Sequence, residues 1–559
     1  MESILRVAIQ RALGELFGIT EASFSVEQPK DITHGDYATN VAFVLAKQSD
    51  KSPKDIIDAL LPKLQDIEHV AAVSTAGTGF INFTLKPEYF ADTVSRVLEQ
   101  KGEWGKSDIY AGKKILVEHS SPNLFKPFHI GHLMNNTIGE SITRLAKASG
   151  ANVAAMSFPS DISLGIAKAI FILLEKGTTD FSITNLGEAY VEGTKRYDED
   201  ESIHVRVKEI ADNLYAKNDS EEWKAFQVCR DFNIEYFEHI TQKLGSHFDA
   251  YIYESEAGVD GKKIVLENTP RVFTESEGAI VYIPDEDRKD INTAVFINSH
   301  GNPTYEAKDI GLIDMKFKRF SPDTSIFITD NNQIPHFDVV LAAAEEINDE
   351  WKARVAKSVH VAHGRMSFMG QKMSSRLGSV PLVEAILKAV MDEVRTKNPN
   401  ITESDAEAIG IAALKFSILR AQAGKSIDFD LESSLSFKGD SGPYLQYSAV
   451  RARSVLENAA RQGIPIDLVV RKDPTTTELE RVLIHYPEVV ERSIQEWAPH
   501  HIVTFLLELA QAFNSYYGQV KIIDEDKAAS AYRLGIVQAI RTTLTNGLHL
   551  LGIEVPKKM

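Results

Sequence analysis

From its first residues the chain moves between two apolar periods. MESILRVAIQRALGELFG (1–18) spaces apolar residues three and four apart, the pattern of one buried helical face. Ser52-Pro53-Lys54-Asp55 opens a second helical pattern that runs to Leu64, with a capping hydroxyl, a proline in the first turn and an acid at its end. AGTGFINFTL (76–85) starts on glycines and then alternates, which predicts a turn and a strand. The polar run 101–114 reads as a linker, so residues 1–108 are expected to form a separate α/β domain.

Farther on, strand-like runs alternate with helical ones. ILV (115–117), SIFITD (325–330) ahead of HFDVVLAAAEEI, and VHVAHG (359–364) have the rhythm of a parallel sheet with crossover helices. Residues 165 to about 245 are helical and charge-rich, and an insertion is placed at about 165–300. EGAIVYIP (277–284) and TAVFINSHGNPTY (293–305) read as strands with turns. Beyond Val380 the period is helical almost throughout, most clearly in HIVTFLLELAQAFNSYY (501–517). The expected fold class is α/β: a Rossmann-type parallel sheet with an insertion over 109–435, behind an N-terminal α/β domain and ahead of an α-helical bundle over 436–559.

Composition narrows the class of protein. Apolar residues make up 43% and charged residues 25%, as in ordinary folded proteins. No apolar run approaches the roughly 20 residues of a membrane span. The N-terminal segment carries acids within its helical pattern, a poor export signal. Cys229 is the only cysteine, so neither an internal disulfide nor a cysteine zinc cluster is expected, and a cytoplasmic setting fits best. The net charge of −18 argues against bulk attraction to nucleic acid. That charge is uneven, because 13 Lys+Arg balance 13 Asp+Glu between Ser441 and Met559. A nucleic-acid partner would have to be read locally, and composition alone favours an enzyme acting on small molecules.

Two short segments carry candidate chemistry. EHSSPNLFKPFHIGH (118–132) lies where a strand gives way to a helix. A helix N-terminus there offers free N–H groups to an anion. Gly131 lets a flat ligand approach the backbone, and His129 and His132, three apart, can face one ligand and donate to phosphate oxygens. Taken by itself, HxxH is as compatible with a capping pair at a proline-rich turn. GQKMSSRLGS (370–379) gathers Lys372, Ser374, Ser375 and Arg376 on a glycine-bounded loop, suited to closing over phosphates or to being a basic surface loop.

In this order, HIGH and KMSSR resemble the two signatures of class I aminoacyl-tRNA synthetases. SSPNLFKPFHIGHLMNNTIG, TYEAKDIG (304–311), DNNQIPHF (330–337) and SGPYLQYSAVRARSVL (441–456) resemble the arginyl-tRNA synthetase form. HGDYATNVAFVLAK (34–47) and GTGFINFTL match that family's additional N-terminal domain, while LAQAFNSYYGQVKI and NGLHLLGIEVP match its anticodon-binding bundle.

The resemblance implies an arginine–tRNA ligase that makes arginyl-adenylate from L-arginine and ATP, with Mg²⁺ accompanying the nucleotide. It then charges the 2′-hydroxyl of the terminal adenosine of tRNA(Arg), and bound tRNA is needed for the first step. It implies catalytic roles for His129, His132 and Lys372. The ATP site would comprise Lys126, His129, Gly131, His132, His336, Met373, Ser374, Ser375 and Arg376. The arginine site would comprise Glu118, Ser120, Asn123, Tyr305, Asp309 and Gln333. Tyr305 and Asp309 share a helical face, and a carboxylate suits a guanidinium fork. Without the resemblance they would equally be a tyrosine and a surface or capping acid. Contacts to tRNA would come from Phe80 and Asn82, and from Tyr444, Tyr447, Arg451, Asn514 and Tyr517. A strand aromatic in the core is the competing reading of Phe80.

No metal ligands of the chain's own are expected, and a monomer is. Leu377 follows Arg376, so the second lysine common in this signature is missing and the phosphate role falls mainly to Lys372. Asp161, in PSDISLGIAKA, stands where the family carries a GD-type motif, as a structural or substrate-adjacent residue. The rival readings are another class I aminoacyl-tRNA synthetase and a non-catalytic tRNA-binding paralogue.

Overall fold

A computed structural model describes residues 1–559 apart from 30, 78, 179, 289, 369–381 and 468–475. The described chain falls into two compact units. One holds Met1–Gly105, Arg451–Val489 and Glu508–Asn546; the other holds Lys106–Val450, Val490–Leu507 and Gly547–Met559.

In the first unit a helix, Glu2–Phe17, precedes a four-stranded sheet. Strands β1 (Val26–Glu27), β2 (Tyr37–Thr39), β3 (Val70–Ala76) and β4 (Phe80–Leu85) lie in the order β1-β2-β4-β3, all antiparallel. The helix Pro53–Leu64 begins as its sequence predicts: Ser52 Oγ accepts from the Asp55 N–H, and Asp55 reaches back to the Ser52 N–H. Its buried face, Ile56, Ile57, Leu60 and Leu64, joins Leu5, Ile9, Phe83 and Phe90 in one core. Segments distant in sequence meet within this unit. Asp36 pairs with Arg481, and the Tyr37 hydroxyl lies 2.9 and 3.0 Å from the two carboxylate oxygens of Glu488.

The second unit is built on a parallel sheet of β5 (Lys114–Glu118), β6 (Asn152–Ser157), β7 (Ala250–Tyr251), β11 (Thr324–Asp330) and β12 (Ser358–His363), in the order β12-β11-β5-β6-β7. An antiparallel sheet of β8 (Phe273–Ser276), β9 (Ala279–Tyr282) and β10 (Ala294–Ile297) and a parallel pair of β13 (Met366–Phe368) and β14 (Ile427–Phe429) complete the strands among the described residues. Between β6 and β7 the helices Leu164–Lys176, Ile183–Glu199, His204–Ala216 and Glu221–Lys243 bury a core of their own, with Ile166, Ile170, Leu186, Val207, Leu214 and Phe226. Cys229 is buried in that core, which pushes its thiol pKa up to about 12.

One crossing sets the position of a later site. The helices Glu254–Glu267 and Tyr305–Phe320 meet backbone to backbone at Gly261 and Gly311. A Cβ on Gly261 would fall on the Ala307 carbonyl, and one on Gly311 on the Ala257 carbonyl. Only glycine permits so close an approach there. The C-terminal part of the chain is helical, with Gly442–Arg461, Tyr486–Gln495, His500–Gln519 and Lys527–Leu550 as its main elements.

Candidate active site

The central sheet changes its direction of winding between β5 and β11. The chain steps from β5 to β6 and β7 on one side, then returns to place β11 and β12 on the other. In a doubly wound sheet the crevice beyond the carboxyl ends of two such strands is where ligands bind. Asn135 ties the two walls of this crevice together. Its Oδ1 accepts from the Ser120 N–H at 2.6 Å, just after β5, and its Nδ2 donates to the Ile328 carbonyl of β11 at 2.7 Å.

The β5 wall leads into the helix Ile130–Ala148, which His129 caps. His129 Nδ1 accepts from the Gly131 N–H at 3.1 Å, and His132 Nδ1 faces the His129 N–H at 3.3 Å. An Nδ1 that accepts leaves the proton on Nε2, so each ring keeps an Nε2–H donor. Burial lowers the pKa of both rings, bringing His132 to about 3 with the help of neighbouring His129 and Lys126. Both imidazoles are therefore neutral near pH 7. Lys126 lies within the same turn, with Nζ 4.6 Å from the Tyr190 ring centroid.

This turn is also tied to the helix Val383–Lys397. The Phe128 carbonyl accepts from the Val383 N–H at 2.9 Å, and the Phe128 N–H donates to the Tyr236 hydroxyl, which in turn meets Glu384. Lys372, Met373, Ser374, Ser375 and Arg376, expected to close over phosphates, lie outside the described residues.

The β11 wall carries Tyr305, Asp309 and Gln333 of the expected amino-acid site, while Glu118, Ser120 and Asn123 stand on the β5 wall. Tyr305 opens the helix Tyr305–Phe320 and is 60% exposed, while Asp309, one turn on, is 8% exposed. That helix runs back along the sheet into β11, which brings its first two turns to the carboxyl end. Glu118, at the end of β5, is buried and forms an ion pair with Lys316, by contact rather than as an aligned hydrogen bond. Ser120 is buried, takes a left-handed backbone conformation, and turns its hydroxyl to His119 at 2.9 Å and Asn136 at 3.1 Å. Asn123 and Gln333 are exposed, Asn123 bridging to Ser160.

His336, expected in the ATP site or as a satisfied core histidine, has its Nε2 2.5 Å from Asp309 Oδ2 and its Nδ1 3.5 Å from Glu306 Oε1. Asp161 is buried and accepts from the Ser255 N–H at 2.9 Å and hydroxyl at 2.7 Å, holding the start of the helix Glu254–Glu267.

The residues expected to meet tRNA occupy three places. Phe80 is 44% exposed at the start of β4 and packs edge-on against Phe43, 5.3 Å between ring centroids. Asn82, two residues on, is only 3% exposed within the same sheet. Tyr444 and Tyr447 are half-buried on the helix Gly442–Arg461, Tyr447 edge-on to Phe437. Arg451, Asn514 and Tyr517 come together in the first unit: the guanidinium donates to Asn514 Oδ1 and lies 4.8 Å from the Tyr517 ring. Arg451 and Tyr517 line a groove with Ser454 and Asn458.

Three residues with evident roles escaped sequence reasoning. Asn135 stands three residues after the first signature; Glu306 lies inside TYEAKDIG beside the residues chosen; Lys316 follows Asp309 by seven, two helical turns. Helical spacing from Asp309 would have found Lys316. Nothing local marked Asn135 as a bridge.

Comparison with known proteins agrees with this architecture. The model of class I (R) tRNA synthetase catalytic domains matches residues 93–430, that of the arginyl tRNA synthetase N-terminal domain 3–85, and that of the DALR anticodon-binding domain 445–559. The arginine–tRNA ligase of Ligilactobacillus salivarius is 30% identical over 551 residues, covering 96% of this chain and 95% of its own. That of Clostridium perfringens is 31% identical over 554 residues, covering 96% of each. The arginyl-tRNA synthetase structure from Thermus thermophilus superposes with a TM-score of 0.83 at 26% identity, covering all of both chains. The Plasmodium falciparum structure shares the fold, with a TM-score of 0.78 at 19% identity over all of this chain and 98% of its own. By domain content, sequence and fold, the chain belongs to the arginyl-tRNA synthetase family of class I enzymes.

Proposed function

We propose that the chain joins L-arginine to ATP as arginyl-adenylate, with release of pyrophosphate, and transfers the arginyl group to the terminal adenosine of tRNA(Arg). The observation that carries this reading is the pairing of two walls at one switch point: neutral imidazoles at a helix N-terminus on one side, the buried carboxylate of Asp309 on the other. The arginine carboxylate is the nucleophile, so no covalent bond to the protein is required. The work of the site is alignment and stabilisation of charge as it builds on phosphate. His129 and His132 donate from Nε2 to phosphate oxygens, and the helix dipole adds a positive field. Asp309 takes the guanidinium in charge-assisted hydrogen bonds, with Tyr305, one turn earlier on the same helix, as a further contact.

No group of three or more His, Cys, Asp or Glu side chains suited to a metal ion occurs among the described residues. Mg²⁺ would come as part of the MgATP substrate. No described helix is long and apolar enough to cross a membrane. For tRNA, Phe80 offers a ring on which a base can stack, and the Arg451–Tyr517 groove offers a cation, an amide and a second aromatic. Asn82 would act by shaping the strand beneath Phe80. Pyrophosphate exchange in the presence of tRNA, with arginine against lysine and citrulline, tests the reading: arginine-specific exchange is expected, and exchange with another amino acid overturns it.

A further inference from the structure

Asp309 is not an open carboxylate awaiting a substrate. Both ring nitrogens of His336 face carboxylate oxygens, Nε2 toward Asp309 at 2.5 Å and Nδ1 toward Glu306 at 3.5 Å. A ring hydrogen-bonded to one carboxylate and in ion-pair contact with a second is held as an imidazolium. Burial opposes that charge, but the interactions of the ring with the carboxylates of Asp309 and Glu306 outweigh it and raise the pKa of His336 to about 9. The other groups around it do not compensate Asp309. From β12, His360 is engaged with Thr329 Oγ1 at 2.7 Å and is neutral, its pKa lowered by burial to about 4. Lys316, farther along the Asp309 helix, is paired with Glu118.

We infer that His336 is a positioning and specificity residue, a proton-bearing placeholder that yields Asp309 to the guanidinium as arginine binds. This rests on the arginine reading above. The exchange balances. Before binding, two carboxylates and one imidazolium leave the pocket at a net single negative charge. After it, two carboxylates, one guanidinium and a neutral imidazole leave the same charge, and the imidazolium proton passes to solvent. Retaining that proton would set two cations side by side on one carboxylate. Losing Asp309 and gaining a neighbouring guanidinium both lower the affinity of the ring for its proton. An uncharged isostere such as citrulline has no charge with which to replace the imidazolium, so the exchange favours arginine.

Calorimetric titration of the full chain with L-arginine at pH 8, in two buffers of different ionisation heat, reads the proton directly. Wild type is expected to release more protons per arginine bound than His336→Gln, by a difference approaching one. Its Kd should also fall as pH rises from 7 to 8.5, by up to about tenfold per pH unit, relative to the variant. Glu306→Gln should move the release window to lower pH, and it keeps the test open should the first variant fail to fold. Equal proton release from wild type and His336→Gln, with arginine still bound, overturns the inference and leaves the arginine reading intact. An unmoved window in Glu306→Gln also counts against it. A wild-type chain that binds no arginine and activates another amino acid overturns both.

Discussion

The imidazoles of His129 and His132 lie stacked, 3.8 Å between centroids and 11° from parallel. Two charged rings would not stack in a buried turn, and burial lowers the pKa of each, that of His132 to about 3. In the proposed role the pair would therefore donate as neutral rings, not as cations. His132→Ala is expected to lower the rate of adenylate formation by about 10²-fold or more with little change in arginine KM, as loss of a donor to developing charge does. Between pH 6 and 8 the rate should carry no titration from His132. Single-turnover adenylation checks both; an unchanged rate in the variant contradicts the assignment.

Asp309→Asn keeps the shape of the side chain and removes its charge. The guanidinium loses its counter-charge, and KM for arginine should rise by about 10²-fold, in the range for breaking a desolvated charge pair. ATP affinity should stay within about twofold if the nucleotide occupies the proposed site at His129 and His132, away from Asp309. Equal loss of both affinities would undo the assignment.

Gly311 fixes where Asp309 stands. A Cβ there meets the Ala257 carbonyl of the crossing helix, which is main chain and has little room to give. Gly311→Ala should force the two helices apart, lower stability by about 1–3 kcal/mol as overpacking does, and raise arginine KM more than ATP KM. Thermal unfolding and substrate titrations measure the two effects separately.

Much of the fold was legible because its elements obey local rules. The Ser52–Asp55 capping box, the β4 alternation and the apolar runs of β11 and β12 each announce themselves within ten residues. The crevice was legible through signature residues at the end of β5. What escaped was set by contacts across the sheet. The two residues of β7 carry no strand pattern, and they pair only because β6 offers its edge. The resemblance makes Ser120 a substrate contact, and nothing local shows that its hydroxyl meets the adjacent His119 and also Asn136, 16 residues away in the chain. His336 enters the ATP site only through the resemblance, with a core histidine as the competing reading. Its partner is decided by the helix that precedes β11, whose register the sequence does not state.

Phe80 is exposed although it alternates with buried strand residues, an arrangement the core does not require. Phe80→Ala should leave amino-acid and ATP affinities unchanged and raise KM for tRNA by about tenfold or more, the scale of one lost base stack. A fall in thermal stability with no change in tRNA KM would return Phe80 to the packing of Phe43.

Glu488 joins parts of the first unit that are far apart in sequence. Its carboxylate accepts from the Tyr37 hydroxyl at 2.9 Å and the Glu2 N–H at 2.8 Å, and meets His485 Nδ1 at 3.2 Å. Burial alone would raise its pKa, but the interaction with His485 and the other donors bring it down to about 2. A depressed folded-state pKa means that the stabilisation is fully present above the ordinary glutamate value near 4.5 and is lost as pH falls toward 2. Glu488→Gln should therefore destabilise the first unit by about 3 kcal/mol at pH 7. The gap between variant and wild type should close progressively below pH 4.5. Urea unfolding at pH 7 and at pH 3 measures it, and a gap that stays constant across that range would mean that the charge of Glu488 contributes nothing to holding these segments together.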